Sequence, residues 1–446
     1  MSNLPSNFLY ICIIVVGFLW SFLVSLALVL YFGPLLGIVD ANGVIDFVDW
    51  SRYYADAVYY GFSSTEPISI YKVLILTDQL PSAVAAFLFN TLSTQSIISI
   101  NVLNSVLFAY SMALLFRILE HSFGKIISFF GCFVIMLLPS LSLAYVQINK
   151  EIFSLLAYFM IVYCFMPTEK TFTLELFIKL AHGIIGGVLL WGVRPYIAAP
   201  FLASMCFISI FVFFIYYIKS NNRSSGFALA SKAVLIVALA VILSFTDSRP
   251  SILPVGDYHQ VDIVQAEVVQ SDQTVGSSSD FFVFQKYAET LSDIRRSLIS
   301  GREDARTNRD TEVSFVDIVD IIYYTPKALF NATFGANQIN FFEITDSGTS
   351  NLAAIIYSVE TLLVYFIFVV FLFFWFANNF KFPEGLKYEY ISIIFICILM
   401  MFLLFGFVFA NMGTLVRMRL PFFVLLLAIK LCLSLLLFSR IRKNEV

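Results

Sequence analysis

The stretch FLYICIIVVGFLWSFLVSLALVLY, residues 8–31, decides what kind of protein this is. It carries no charged side chain, and about 20 apolar residues in helical form suffice to cross the hydrocarbon core of a bilayer. It is too long and too apolar for a cleaved signal peptide and lacks a basic leading segment, so it reads as a retained first span. Comparable windows follow near 98–116, 126–145, 152–166, 176–193, 197–218, 228–245, 352–377, 389–409 and 420–438. The fold class expected is an all-α polytopic membrane protein with about ten transmembrane helices and a helical periplasmic insert. The segment 79–95, with Gln79, Leu80 and Pro81 at its start, is apolar but short and broken, which suits a re-entrant or interfacial piece.

Composition points the same way. Of 446 residues, 60% are hydrophobic and 13% charged, against about 25% charged in soluble domains. A water-soluble globule of this size could not cover its surface. Mean hydropathy is +0.88. A net charge of −3 gives no ground for a nucleic-acid partner. The cysteines Cys12, Cys132, Cys164, Cys206, Cys397 and Cys432 all fall in apolar runs with no zinc-type spacing, so neither disulfides nor a structural metal is expected. His121, His182 and His259 read as single polar residues.

Basic residues set the orientation, because short basic loops stay on the cytoplasmic side. With the N-terminus inside, the inner connections and the tail hold Arg117, Lys125, Lys170, Lys179, Lys219, Arg223, Lys232, Lys381, Lys387, Arg440, Arg442 and Lys443. The short outer connections hold Lys150, Arg194, Arg417 and Arg419. Both termini are therefore expected in the cytoplasm. Three regions follow: residues 1–245 with helices one to seven and an outer loop at 33–78, a periplasmic helical insert at 246–351, and residues 352–446 with helices eight to ten and the tail.

The insert holds 16 acidic and 8 basic residues. Phe284, Tyr287, Leu291, Ile294 and Leu298 recur at spacings of three and four, which predicts a helix. A second helix is predicted with Phe315, Ile318, Val319 and Ile322 on its apolar face, ending at the Tyr323-Tyr324-Thr325-Pro326 break. Both read as helices lying flat over the outer leaflet or against the spans.

The four outer cations run against the positive-inside bias and need a reason. Lys150 and Glu151 open span four, Arg194 follows span five in Trp191-Gly192-Val193-Arg194-Pro195-Tyr196, and Arg417 and Arg419 precede span ten. Any one of them alone reads as a snorkelling anchor. Four together, if the bundle gathers their ends, form a cationic cup suited to a phosphate, and arginine is the side chain fitted to bidentate phosphate binding. In the first outer loop, Asp46 and Asp49 are neighbours on a helix, with Arg52, Trp50, Tyr53 and Tyr54 following. A carboxylate there could serve as general base toward a sugar hydroxyl, with aromatic rings stacking on sugar faces. The alternative is a solvated acidic face. Glu360 and Lys430 lie within spans at similar depth, as either a structural ion pair or a transport device.

These pieces resemble a family. The aspartate- and tyrosine-bearing outer loop, the Lys150-Glu151 step after a span with Pro139, the Arg194-Pro195-Tyr196 step and the ending Gly413-Thr414…Arg417…Arg419-Leu420-Pro421-Phe422 look like bacterial O-antigen-type polysaccharide polymerases. More distantly the chain resembles GT-C glycosyltransferases that use polyprenyl-linked donors. Tyr324-Thr325-Pro326-Lys327-Ala328-Leu329 also looks like a recurrent element of such membrane proteins. The resemblance implies a multi-pass protein of the bacterial inner membrane. It would polymerise undecaprenyl-pyrophosphate-linked repeat units into surface polysaccharide such as that of lipopolysaccharide, alongside a flippase and a chain-length regulator. It implies Asp46 or Asp49 as base and Arg194, Arg417, Arg419, Lys150 and Arg52 on the pyrophosphate, with Glu151, Tyr53 and Tyr196 in support. No cofactor is implied; a divalent cation at Asp46 and Asp49 is left open. A single-transfer GT-C enzyme and a lipid-linked glycan flippase remain as rivals.

Overall fold

The computed structural model describes residues 5–36, 39–40, 44, 48–63, 80–138, 141, 145–166, 174–194, 197–198, 200–207, 210, 232, 279–300, 310–334, 348–378, 388–410 and 412–444. Among these the chain is helical apart from turns and one isolated bridge residue, Val39. The helices are α1 (Ser6–Ala27), α2 (Val48–Val58), α3 (Leu80–Leu92), α4 (Ile97–Phe123), α5 (Lys125–Met136), α6 (Glu151–Phe165), α7 (Leu174–Val193), α8 (Ser279–Ser300), α9 (Ile318–Phe334), α10 (Gly348–Ala377), α11 (Tyr388–Val408) and α12 (Met412–Asn444). Five helical stretches are long and apolar enough to cross a membrane: Ser6–Leu35, Ile97–Phe123, Leu174–Val193, Tyr390–Val408 and Arg417–Arg440. Leu80–Leu92, Lys125–Met136, Glu151–Phe165 and Leu362–Ala377 are shorter apolar helices. The protein is an all-α polytopic membrane protein. The expected spans at 197–218 and 228–245 lie largely outside the described residues.

The chain divides into two compact units. The first comprises Met1–Asp247, Phe341–Ile398 and Leu420–Val446; the second comprises Ser248–Asn340 and Leu399–Arg419.

In the first unit α1 packs along α4, and α4 also meets α5 and α6. α4 runs past the expected end of its span to Phe123, carrying Arg117 and Glu120 with it. The extra turns hold because those charges are matched. Arg117 pairs with Glu120 at 3.0 Å, donates to Asn7 Oδ1 at 2.7 Å, and lies 4.7 Å over the Tyr10 ring of α1. α6 and α7 form an antiparallel hairpin whose close crossing depends on Gly186. A Cβ there would lie 2.8 Å from the Ala157 carbonyl oxygen and 2.9 Å from Met160 Cβ. Small residues permit such approach where helices have no hydrophobic drive to associate in lipid. α12 is buried in this unit through Phe422, whose ring packs on Tyr158 of α6 at 4.5 Å and on Phe201 at 5.4 Å. Lys430 on α12 lies 4.6 Å over the Phe368 ring of α10. The Glu360 side chain is outside the described residues.

The second unit is built by α8 and α9 with the end of α11 and the start of α12. Asp317 opens α9: its Oδ1 accepts from the Val319 and Asp320 amides at 2.8 and 3.0 Å, while Asp320 accepts from the Val316 amide at 2.9 Å. This is a reciprocal capping arrangement. α9 does not end at Pro326, as the sequence suggested, but continues to Phe334. Proline in a helix loses one hydrogen bond and crowds the carbonyl four residues back. Here that carbonyl belongs to Ile322 on the exposed side, where it can tilt away from the axis, and the Thr325 hydroxyl donates to the Ile321 carbonyl at 2.7 Å.

The buried face of α9 also differs from the expected one. Phe315 is buried with Tyr324 and Ala328, joined by Ala288 of α8 and by Phe407 of α11. Ile318, Val319 and Ile322 are exposed. Gly406 of α11 lets Ala328 approach so closely that a Cβ on it would lie 2.6 Å from the Ala328 carbonyl carbon.

Candidate functional site

The head of the α6–α7 hairpin begins with a buried turn, Tyr145–Asn149. Asn104 of α4 donates from Nδ2 to the Tyr145 carbonyl at 3.1 Å and to the Gln147 carbonyl at 2.9 Å, fixing the turn against α4. Asn149 then caps α6, its Oδ1 accepting from the amides of Glu151 at 3.0 Å and Ile152 at 3.4 Å. The asparagine side chain satisfies helix-start donors that would otherwise be orphaned. Glu151 in the first turn is favoured by the positive end of the helix dipole.

Arg194 follows the last residue of α7, its amide donating to the Leu190 carbonyl at 2.7 Å. Its Nη2 meets Glu151 Oε1 at 3.0 Å, and only 2% of the arginine and 13% of the glutamate side chain is exposed. Among the described residues, Nε and Nη1 of Arg194 have no hydrogen-bond partner. A buried charge is costly unless paired and fully hydrogen-bonded, so this guanidinium has two donor nitrogens of unused capacity in a shielded place. Its planar fork fits a phosphate or carboxylate.

Lys150, the residue before Glu151, holds its ammonium 5.7 Å from the centre of the Tyr53 ring. Tyr53 comes from α2, which packs on α3: the Tyr54 ring stands edge-on to Phe89 at 5.8 Å, and its hydroxyl donates to the Gln95 carbonyl at 2.9 Å. α3 in turn meets α7 where Leu80 touches Gly192. The segment bearing α2 is thus fixed beside the hairpin head through aromatic packing. On α2, Arg52 is exposed and Asp56 is half-buried. Burial pushes the Asp56 carboxyl above its ordinary value, and the Arg52 guanidinium one turn earlier partly offsets this. Asp49 lies on α2 with its side chain outside the described residues; Asp46 and Tyr196 lie outside them entirely.

Arg417 and Arg419 do not precede the last helix; they lie within α12, whose helix begins at Met412. Arg417 is half-buried. Arg419 is buried, and its Nη1 donates to the Ala332 carbonyl at 2.6 Å, in the last turn of α9. Both belong to the second unit, whereas Lys150, Glu151, Arg194, Tyr53 and Arg52 belong to the first.

A second cluster went unremarked in the sequence. Asp310, at φ 52°, is one of the few described non-glycine residues in the left-handed region. Its carboxylate accepts from Lys327 Nζ at 2.6 Å, the Tyr324 hydroxyl at 3.0 Å and Asn331 Nδ2 at 3.2 Å. Its carbonyl accepts from Arg295 Nη2 at 3.0 Å, and Arg295 Nη1 reaches the Phe407 carbonyl at 2.7 Å. Burial alone would raise the carboxyl's pKa, but these hydrogen bonds and the Lys327 charge outweigh it and hold it below the usual value. The readable signal was the Tyr324, Lys327, Asn331 spacing, three and then four residues along one helix face. Among the described residues no group of three or more His, Cys, Asp or Glu comes together.

No protein-family model matches the chain, and no curated protein matches it. Among solved structures it is similar to the crystal structure of the Archaeoglobus fulgidus oligosaccharyltransferase in the apo form. The identity is 13% and the TM-score 0.35, with 90% of this chain and 56% of that one covered. The chain thus spans little more than half the length of that protein.

Proposed function

We propose that this protein is a membrane glycosyltransferase that polymerises lipid-linked oligosaccharide repeat units at the outer face of the bacterial inner membrane. The observation that carries the reading is the shielded Arg194 guanidinium, held by Glu151 with Nε and Nη1 left over among the described residues, where Lys150 directly precedes Glu151. A pyrophosphate is a good leaving group once its developing charge is neutralised, and fixed cations in a desolvated place do this without reorganisation. In the proposed reaction the bond between the glycan's anomeric carbon and the lipid pyrophosphate breaks, and the same carbon bonds to a hydroxyl oxygen of the incoming lipid-linked repeat. The hydroxyl proton passes to Asp46 or Asp49 as general base, and the lipid pyrophosphate departs as an anion. Arg194 and Lys150 receive that anion, with Arg52 assisting from α2. Glu151 orients Arg194, and Tyr53 and Tyr196 border the sugar.

The test is complementation of a host lacking this protein with Arg194→Ala, followed by a gel of surface polysaccharide. Collapse of the ladder to a single repeat is the expected result. An unaltered ladder would overturn the reading, and accumulation of unprocessed lipid-linked repeats on the cytoplasmic side would identify a flippase.

A further inference from the structure

The insert helices α8 and α9 expose very different faces. On α8 the exposed Ile294 and Leu298 are interleaved with Glu289, Asp293 and Arg296, and the last two pair at 3.2 Å while both remain more than two-thirds exposed. That face suits water. On α9 and the residue pair before it, Val316, Val319, Ile322 and Tyr323 recur at spacings of three and four and are all exposed, Ile322 at 62% and Tyr323 at 81%. The stripe continues through Pro326, and the charged side chains at its edge are the half-buried Asp320, which accepts from the Val316 amide, and Lys327, 55% exposed and paired with Asp310.

The opposite face of α9 is tied to the ends of two membrane helices. Ala328 lies against Gly406, two residues before α11 stops, and the Ala332 carbonyl takes a hydrogen bond from Arg419 near the start of α12. Tyr390–Val408 and Arg417–Arg440 are apolar enough to cross the bilayer. α9 is therefore held to the ends of two helical stretches long and apolar enough to cross a bilayer.

We propose that the exposed stripe of α9 is a membrane-interface docking face, occupied by phospholipid. Val316, Val319, Ile322 and Tyr323 enter the boundary between headgroups and acyl chains, and Lys327, its ammonium held by Asp310 at 2.6 Å, stands at the edge of the stripe at the headgroup level. An amphipathic helix with aliphatic and aromatic residues on one side and a cation at the edge binds bilayers in this way. The inference is confined to α9; α8 stays in water above it. It is independent of the glycosyl-transfer reading, since any membrane protein could use such an anchor.

The experiment uses the full chain in phospholipid nanodiscs with a nitroxide at Val319→Cys, Ile322→Cys or, on α8, Asp293→Cys, with the label taken up by the native cysteines subtracted using the unsubstituted chain. At positions 319 and 322 collisions with oxygen should exceed those with a water-soluble nickel chelate several-fold, with the reverse at 293. Nickel-dominated collisions at 319 and 322 would overturn the proposal. Shielding from both reagents there would also overturn it, pointing to a protein partner or a second copy. Because all three sites are exposed, a cysteine at each leaves the packing intact; a label at Ala288→Cys, in the core, gives the reference for true shielding.

Discussion

Arg194 and Glu151, 43 residues apart, meet with 3.0 Å between Nη2 and Oε1 and close the α6–α7 hairpin at its head. The pair sits where the C-terminal end of one helix meets the N-terminal end of another. Each charge therefore faces the helix end that favours it. Glu151→Ala strands a buried cation and should destabilise the protein by about 3–5 kcal/mol. Glu151→Ala combined with Arg194→Leu should recover much of that loss. Thermal unfolding of the single and double variants in detergent checks this; additive losses would show that the two residues are not coupled.

The contact of Lys150 with Tyr53 makes α2 part of the binding reading. A cation over an aromatic face at a partly exposed place contributes about 0.5–1 kcal/mol. Tyr53→Ala should weaken binding of undecaprenyl pyrophosphate by about two- to fivefold, as 1.4 kcal/mol is tenfold. Tyr53→Phe keeps the ring and should bind nearly as the parent does. Binding measured by quenching or calorimetry separates the two; equal weakening in both would assign the effect to the hydroxyl.

Gly406 against Ala328 tests how the insert is held to α11. Even a methyl group at 406 would meet the Ala328 backbone, and overpacking of this kind typically costs about 1–3 kcal/mol. Gly406→Val should lower the melting temperature and expose the stretch around Phe315 to proteolysis. Unchanged melting and cleavage would mean that α9 does not approach α11 so closely.

Asp310 gives the second unit an acid limit. Its carboxyl is held below the ordinary value in the folded protein. The stabilisation it provides is therefore complete above the ordinary carboxylate range and is lost as pH falls through the folded value. Melting temperature should be level near neutrality and fall in the acid range, while Asp310→Asn should start lower and fall less. Parallel pH profiles for the two proteins would place the acid sensitivity elsewhere.

What could be read from the chain follows the strength of the physical signal. The long apolar windows are unmistakable because a bilayer demands them. The positions of α1, α4, α7 and α11 accordingly matched expectation within several residues, while α12 begins earlier and ends later than its apolar window. The extent of α4 did not, because Arg117 and Glu120 satisfy each other and α1, and matched charges do not end a helix. Pro326 misled for the same kind of reason, since its cost depends on which way the carbonyl of Ile322 faces. At the hairpin head, Lys150 and Arg194 stood out because they fall in connections expected to be outer, against the positive-inside bias, with Glu151 directly after Lys150. The partner of Arg194 could not be read, because it depends on how α6 and α7 cross at Gly186. Asn104 and Asn149, which build the turn beneath them, looked like ordinary polar residues.

The second unit joins parts of the chain made at widely separated times. Arg295 awaits the Phe407 carbonyl, 112 residues on, and the Ala332 carbonyl awaits Arg419, 87 residues on. Such long loops must close before these contacts return any stability. During synthesis α8 and α9 therefore remain unfinished until the end of α11 and the start of α12 have been made. The insert, though central in the chain, is among the last regions to fold.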